Sequence, residues 1–266
     1  MDLFAMRSIL FLPASNPRAI ARARESSADL VVLDLEDAVK PDDKAEARRA
    51  AVEAVSSDWP MATAIRINGV GSEWHSADLK AVAQSDCDYV VLPRVASVRD
   101  VRQVRDALNK PVLAMIETAA GVLAASKITD AALALIAGTN DLRTDLRLPL
   151  DATRDPISVS LQVIILAARA AGIPAFDGVY NRLSDLDGFI AECMHGRSLG
   201  FDGKSLIHPD QIGPCNEAFG PSDEEIESAR ELVEAFSGGA ERFKDRMIER
   251  MHVEAARRVL ERAGQS

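Results

Sequence analysis

The chain is short of the residues on which several common functions depend. It has three cysteines, Cys87, Cys193 and Cys215, an odd number with no CxxC spacing. That pattern argues against a zinc site or a disulfide framework and points to unpaired thiols in a reduced compartment. Basic charge is not in excess: 31 lysines and arginines stand against 41 acids, a formal net charge of −10. General nucleic-acid binding, which needs a basic field, is therefore not expected, although a few local arginines suffice for a small anionic substrate. No apolar run approaches the ~20 residues of a membrane span. The first residues lead straight to Arg7 and a short apolar run, with no basic n-region and no cleavage site, so the expectation is a soluble, cytoplasmic protein. Familiar catalytic signatures are missing as well. There is no GxGxxG after the first strand, no GxSxG, and no HExxH or HxH among His75, His195, His208 and His252. Dinucleotide binding and serine-based hydrolysis lack support, and the histidines read as structural or exposed.

What the chain does have is alternation. Strand-like apolar runs occur at residues 9–12, 30–35, 64–67, 89–92, 112–116, 132–137, 173–176 and 201–207, with helix-sized connections between them. Asn16 and Pro17 suit the cap and first position of a helix, a helix is expected from about Pro41, and Val98, Val101, Val104 and Leu108 recur at helical spacing. Another helix, at about 156–171, ends at Gly172, and one more covers about 185–196. Eight continuous apolar runs alternating with helices predict a closed parallel sheet, the TIM (β/α)8 barrel, for which ~250 residues is typical. Residues 1–220 are assigned to the barrel and 221–266 to a C-terminal helical extension that packs on the barrel or on a neighbouring subunit. In the extension, Ser222 to Glu225 matches a capping box, Gly238-Gly239 reads as a hinge, and a last helix is expected over 241–262.

In this fold the active site lies at the C-terminal ends of the strands. The residues there are Glu36 and Asp37 after the second run, Arg66 and Asn68 on the third, Arg94 after the fourth, Glu117 after the fifth, Asn140 and Asp141 after the sixth, Asp177 after the seventh and Lys204 on the eighth. If the fifth and sixth strands are neighbours, ~4.8 Å apart, Glu117 and Asp141 leave from the same end of the sheet and suit one hard divalent cation, Mg²⁺ or Mn²⁺. The alternative is that either acid caps the helix that follows. Arg66, a guanidinium inside an apolar strand, requires a carboxylate partner: a substrate, or Glu36 or Asp37. Asp37 is the favoured functional acid of its pair, against a role pairing with Lys44 and Arg48. Gly138 is one of several glycines beside strand ends, where backbone approaches ligand or turns sharply.

Taken together, LDLEDAVKPDDKAEAR (33–48), RIN (66–68), MIETAAGV (115–122), GTNDL (138–142) and GFDGKSLIHPDQI (200–212) resemble the citrate lyase β-subunit-like group of the HpcH/HpaI aldolase superfamily, in collinear order from about Arg7 to Phe236. The resemblance implies a Mg²⁺-dependent carbon–carbon lyase that cleaves a 3-hydroxyacyl-CoA of the citryl-, citramalyl- or malyl-CoA type to an α-keto acid, such as oxaloacetate, and acetyl-CoA or a close analogue. By the same resemblance Glu117 and Asp141 are the metal ligands, Arg66 holds the keto-acid carboxylate, with Glu117 and Gly138 lining the substrate site, and Asp37 is a catalytic acid. Coenzyme A enters as part of the substrate, with Arg18, Arg22 and Arg24 and the first helix N-terminus as candidates for its phosphates. A homotrimer or hexamer is implied.

This chain departs from the pattern in two places. Asn140 stands where an acid often precedes the metal-binding Asp. DRMIERM (245–251) stands where relatives have GSMIDMP, so that Glu249 replaces an Asp that serves a neighbouring subunit's site. Two other readings stand beside the lyase: an aldolase acting on a CoA-free hydroxy-keto acid, and a non-catalytic subunit of a larger assembly.

Overall fold

The structure, a computed structural model, describes residues 2–264. Eight parallel strands close into a barrel in sequence order: β1 (Ser8–Pro13), β2 (Leu30–Asp34), β3 (Ala62–Arg66), β4 (Tyr89–Leu92), β5 (Val112–Ile116), β6 (Ala134–Ala137), β7 (Ala175–Asp177) and β8 (Gly203–Leu206), with β8 pairing back onto β1. The connections are helical: α1 (Pro17–Arg24), α2 (Lys44–Val55), α3 (His75–Val82), α4 (Val98–Leu108), α5 (Ala119–Ile128), α6 (Thr139–Asp145), α7 (Ser158–Ala171) and α8 (Leu186–Leu199), with α9 (Ile212–Phe219) following β8. This is the TIM barrel that the alternating runs predict, with a helical extension after it. Strands and helices begin and end within a few residues of the expected runs. The helix expected from Pro41 opens with a single 3-10 turn, Pro41–Asp43, before α2.

Local chemistry sets these elements. Asn16 accepts from Ala19 N at 3.1 Å, and Pro17 supplies the first helical position of α1. Ser97 and Asp100 form a capping box on α4, which ends at Asn109 in the left-handed conformation. The strands read as continuous apolar runs because both faces are covered: all five residues of β2 are buried, and so are all five of β5. Alternate residues fill the barrel, among them Ile9, Phe11, Leu30, Val32, Ala64, Val91, Leu113, Met115, Ile136 and Phe176. Each fully buried Val, Leu or Ile contributes about 1.5–3 kcal/mol. The filled interior leaves the mouth as the place for chemistry. Among the described residues, no helix is long and apolar enough to cross a membrane.

The chain divides into two compact units, residues 1–215 and 216–266. In the second, α10 (Asp223–Ala235) starts at a capping box made by Ser222 and Glu225. The expected single helix over 241–262 is replaced by a hairpin, β9 (Glu241–Phe243) and β10 (Arg246–Ile248), and by α11 (Arg250–Arg262). Phe243, Met247, Ile248 and Met251 fit a helical stripe, but Lys244 takes a left-handed conformation (φ 52°) that turns the chain back. The Glu241 carboxylate accepts from Ser237 N at 2.7 Å ahead of the turn. Ile248, Val253 and Ala256 pack with Ala229 and Leu232 of α10 into a small core of their own.

Candidate active site

At the C-terminal mouth of the barrel is a pocket of about 320 Å³, whose lining includes Asp37, Arg66, Glu117, Gly138, Asn140 and Asp141. Five of the sequence-predicted site residues, Asp37, Arg66, Glu117, Gly138 and Asp141, are thus together.

β5 and β6 are neighbours, with Ile116 opposite Ala137, so Glu117 and Gly138 leave the sheet side by side. Thr118, not Glu117, caps α5, its Oγ1 accepting from Gly121 N at 3.0 Å. The Glu117 carboxylate, 2% exposed, instead lies against the Gly138 backbone, where a side-chain carbon would overlap its Oε2 and Cβ. Gly138 has an ordinary φ of −95°; its need for glycine is one of space. Asp141 sits in the first turn of α6, where the helix dipole also favours it.

Arg94 ties the two acids together. It follows β4 in the left-handed conformation (φ 53°), which costs a residue with a Cβ about 1–2 kcal/mol. In that conformation its N–H donates to Glu117 Oε1 at 2.6 Å, and its guanidinium lies 3.4 Å from Asp141 Oδ1. Burial still dominates Glu117, whose pKa is pushed up from 4.5 to about 7 against the Arg94 bond, with Asp141 and Asp37 adding repulsion. Burial and Asp37 likewise raise Asp141. Glu117 and Asp141, with Asp37 adding repulsion to both, leave this cleft with a deficit of positive charge.

Arg66 faces them from β3. Its Cα partner across the sheet is Asp34, an acid inside the apolar run of β2 that sequence reasoning passed over. Asp34 takes Arg66 Nε and Nη2 at 2.6 Å each and also accepts from Glu36 N at 2.8 Å and Ala38 N at 3.0 Å. The guanidinium packs over the Phe11 ring at 5.3 Å. Arg66 Nη1 comes within 3.0 Å of Glu36 Oε2 without hydrogen-bond alignment. The internal ion pair that is the alternative to a substrate partner for Arg66 therefore forms, chiefly with Asp34 and also with Glu36, while the residue still lines the pocket. Burial raises Glu36 from 4.5 to about 8 despite Arg66. The alternative pairing of Asp37 or Glu36 with Lys44 and Arg48 is not formed; those cations make other contacts. Lys44 Nζ donates to the carbonyls of Leu35 (2.7 Å) and Glu36 (2.8 Å) and to Asn68 Oδ1 (2.8 Å), and Arg48 Nε donates to Asp78 Oδ1 at 2.7 Å. That network holds the loop from which Asp37, itself exposed, reaches the mouth.

Other rim assignments move. Asp177 and Lys204 do not line the pocket. They are cross-strand partners on β7 and β8 facing the helix layer, Lys204 bonding Asp177 Oδ2 (3.0 Å) and Glu192 Oε1 (2.7 Å) of α8, with Arg154 on Asp177 Oδ1 (2.6 Å). The parity is that of the strand: Ser205 and Phe176 point inward, so their neighbours point out. Arg24 turns to α2, donating to Ala54 O at 2.8 Å and to Ser57 Oγ and stacking over Trp59 at 4.5 Å. Arg18 and Arg22 are exposed on α1. Glu249 lies in the second unit, at the head of α11, where its N–H donates to His252 Nδ1 at 3.0 Å. Asn140 pairs with Asn181 through reciprocal amide bonds of 2.8 and 3.3 Å.

The donor set fits a hard divalent cation. Among the described residues no three His, Cys, Asp or Glu side chains are grouped to hold a metal, so Glu117 and Asp141 would supply two oxygens and leave the rest to water and substrate. Mg²⁺ is commonly held in this way, by one or two carboxylates while it keeps several waters.

By fold and by the chemistry of its rim, the chain falls among β/α-barrel proteins that gather paired acids and a buried arginine at the barrel mouth. Residues 7–209 match the family model HpcH/HpaI aldolase/citrate lyase, and the chain belongs to that family. It is 40% identical to a (3S)-malyl-CoA thioesterase of Cereibacter sphaeroides, covering 97% of this chain and 94% of that one. It is 33% identical to citrate lyase subunit beta of Escherichia coli, covering 97% and 93%. Among solved structures it resembles the protein CitE of Mycobacterium tuberculosis in complex with magnesium, acetoacetate and coenzyme A, with a TM-score of 0.88 and 33% identity over 98% of this chain and 100% of that one.

Proposed function

We propose that the protein is a Mg²⁺-dependent carbon–carbon lyase that cleaves a short 3-hydroxyacyl-CoA carrying a carboxylate on its carbinol carbon, as malyl-, citramalyl- and citryl-CoA do. The observation that carries this reading is the pair Glu117 and Asp141, mutually repelling beside the barrel mouth, with Arg66 facing them. CoA-bound and magnesium-bound relatives support it.

In this reading Glu117 and Asp141 hold the ion, which when bound acidifies the carbinol hydroxyl and stabilises the oxygen of the emerging keto acid. Arg66, kept in one orientation by Asp34, takes the substrate carboxylate through its remaining donors. Asp37, exposed at the mouth, accepts the hydroxyl proton. The bond between the carbinol carbon and the thioester α-carbon then breaks, its electron pair passing to the thioester as an enolate. An acid must return a proton to that enolate, and Glu249 is the candidate that the family resemblance supplies; full turnover in Glu249→Gln would remove it. Arg18 and Arg22 remain as cations for the CoA phosphates, since Arg24 is engaged with α2.

A second reading, thioester hydrolysis, is favoured by the 40% identity to a thioesterase. One experiment separates them. Purified protein is given (3S)-malyl-, citramalyl- and citryl-CoA with Mg²⁺ or with EDTA, and keto acid, acetyl-CoA and free thiol are each measured. Cleavage releases keto acid and acetyl-CoA without thiol. Hydrolysis releases thiol and the hydroxy acid without keto acid. No Mg²⁺-dependent product from any of the three refutes both.

A further inference from the structure

Ser205 lies on β8, and its Cα partner on β1 is Ile9, whose side chain is inside the barrel. Partners on adjacent parallel strands share a face, so Ser205 also points inward. It is 2% exposed, it lines the pocket, and its Oγ has no hydrogen-bond partner. Buried polar side chains are almost always paired, and one left alone on the wall of a functional pocket calls for an explanation. The pocket it lines also has apolar wall residues, among them Phe11, Met115 and Ile207. Arg66 and Glu117 in the same pocket each have a protein partner, Asp34 and Arg94, whereas Ser205 Oγ has none.

The position of β8 gives this hydroxyl its task. β8 closes against β1, whereas Arg66, Glu117 and Asp141 are carried by β3, β5 and the turn after β6. A carbinol carbon whose carboxylate and hydroxyl are held from those strands keeps two further substituents. One is the methylene that leads to CoA, which must run out through the open mouth; the other is a side arm, which is left for the β8–β1 wall. We infer that Ser205 is a specificity residue, whose hydroxyl donates to a polar arm on the carbinol carbon. On the proposed function, on which this inference rests, the preferred keto acid then carries a second carboxylate, as oxaloacetate does, in place of the methyl of pyruvate or the hydrogen of glyoxylate.

The test is titration calorimetry in Mg²⁺ buffer with freshly dissolved oxaloacetate, with pyruvate and with glyoxylate, on the wild type and on Ser205→Ala. The variant should lose at least about tenfold in affinity for oxaloacetate, the loss expected when a hydrogen bond to a charged group is removed, and stay within about twofold for the other two. Without ligand, Ser205→Ala should melt no lower than the wild type, because the hydroxyl it removes has no partner. Equal losses for all three acids, no loss for oxaloacetate, or a lower melting temperature of the ligand-free variant would each overturn the inference while leaving the proposed function standing. A wild type that binds none of the three acids would overturn both.

Discussion

Gly138→Ala gives the sharpest test of how the mouth is built. The backbone at this position is outside the left-handed region, with φ at −95°, so alanine meets no left-handed penalty and the effect is chiefly one of space. The added carbon would overlap Glu117 Oε2 and Cβ and stand 3.0 Å from Cδ. Ordinary carbon–carbon contact is about 3.5–4.0 Å, so the carboxyl carbon must retreat by about 0.5–1 Å, and Oε2 by more. Glu117 has nowhere easy to go, being 2% exposed and held at Oε1 by Arg94 N at 2.6 Å. Overpacking of this size costs about 1–3 kcal/mol of stability. Displacement of a site group by about 1 Å costs on the order of 10²-fold in rate. The assays are Mg²⁺ titration by calorimetry, kcat/KM on the best acyl-CoA substrate, and urea unfolding. Gly239→Ala is the control: nothing lies within 4 Å of its added carbon and its φ is not positive, so stability should change by no more than about 0.5 kcal/mol. Mg²⁺ affinity and kcat/KM within twofold of the wild type in Gly138→Ala would refute the argument that the Glu117 carboxylate must rest against this backbone to function.

Asp34→Asn keeps the shape of a buried acceptor but leaves the Arg66 charge with Glu36 alone, and breaking such a pair should cost about 3–5 kcal/mol in urea unfolding; a loss below about 1 kcal/mol would contradict the pairing. Lys204→Met leaves Asp177 with Arg154 alone and should also destabilise by about 3–5 kcal/mol. Because both face the helix layer, kcat/KM of the folded fraction should hold, and a selective loss of activity would return them to the rim. The pH response follows from Glu117 and Glu36, raised from 4.5 to about 7 and about 8. Between the unfolded and folded values the native chain binds more protons than the unfolded one, so these groups make ligand-free stability fall as pH rises from about 4.5 to 8. Urea melts at both ends of that window should show a smaller fall in Glu117→Gln than in the wild type; an identical fall contradicts the shift. Mg²⁺ affinity runs the other way, rising with pH through about 7 as Glu117 ionises, and a flat profile would remove Glu117 as a ligand.

How much of this was legible depends on which feature of a residue is asked for. The barrel follows from eight apolar runs because strands covered on both faces need no alternation. The same property hides which face a polar residue takes. Asp34 and Arg66 sit at matching ends of adjacent strands, and the register that pairs them is visible only once Leu30 is set opposite Ala62. Before that, Asp34 is one acid in LVVLD, and the exposed-looking Glu36 and Asp37 draw attention instead. Asp177 and Lys204 fail in the opposite direction. They are charged residues at strand ends, but a shift of one position moves a side chain from the pocket to the helix layer, and their buried network with Arg154 and Glu192 is structural. The position of Glu117 and Asp141 at the mouth was legible because they follow the strands, where the turn delivers side chains to the mouth whichever face the preceding residues take. The C-terminal hairpin was hidden for a related reason: Phe243, Met247 and Ile248 satisfy a period of 3.6 nearly as well as a period of 2, and the left-handed Lys244 that decides between them carries no turn signature in its residue type.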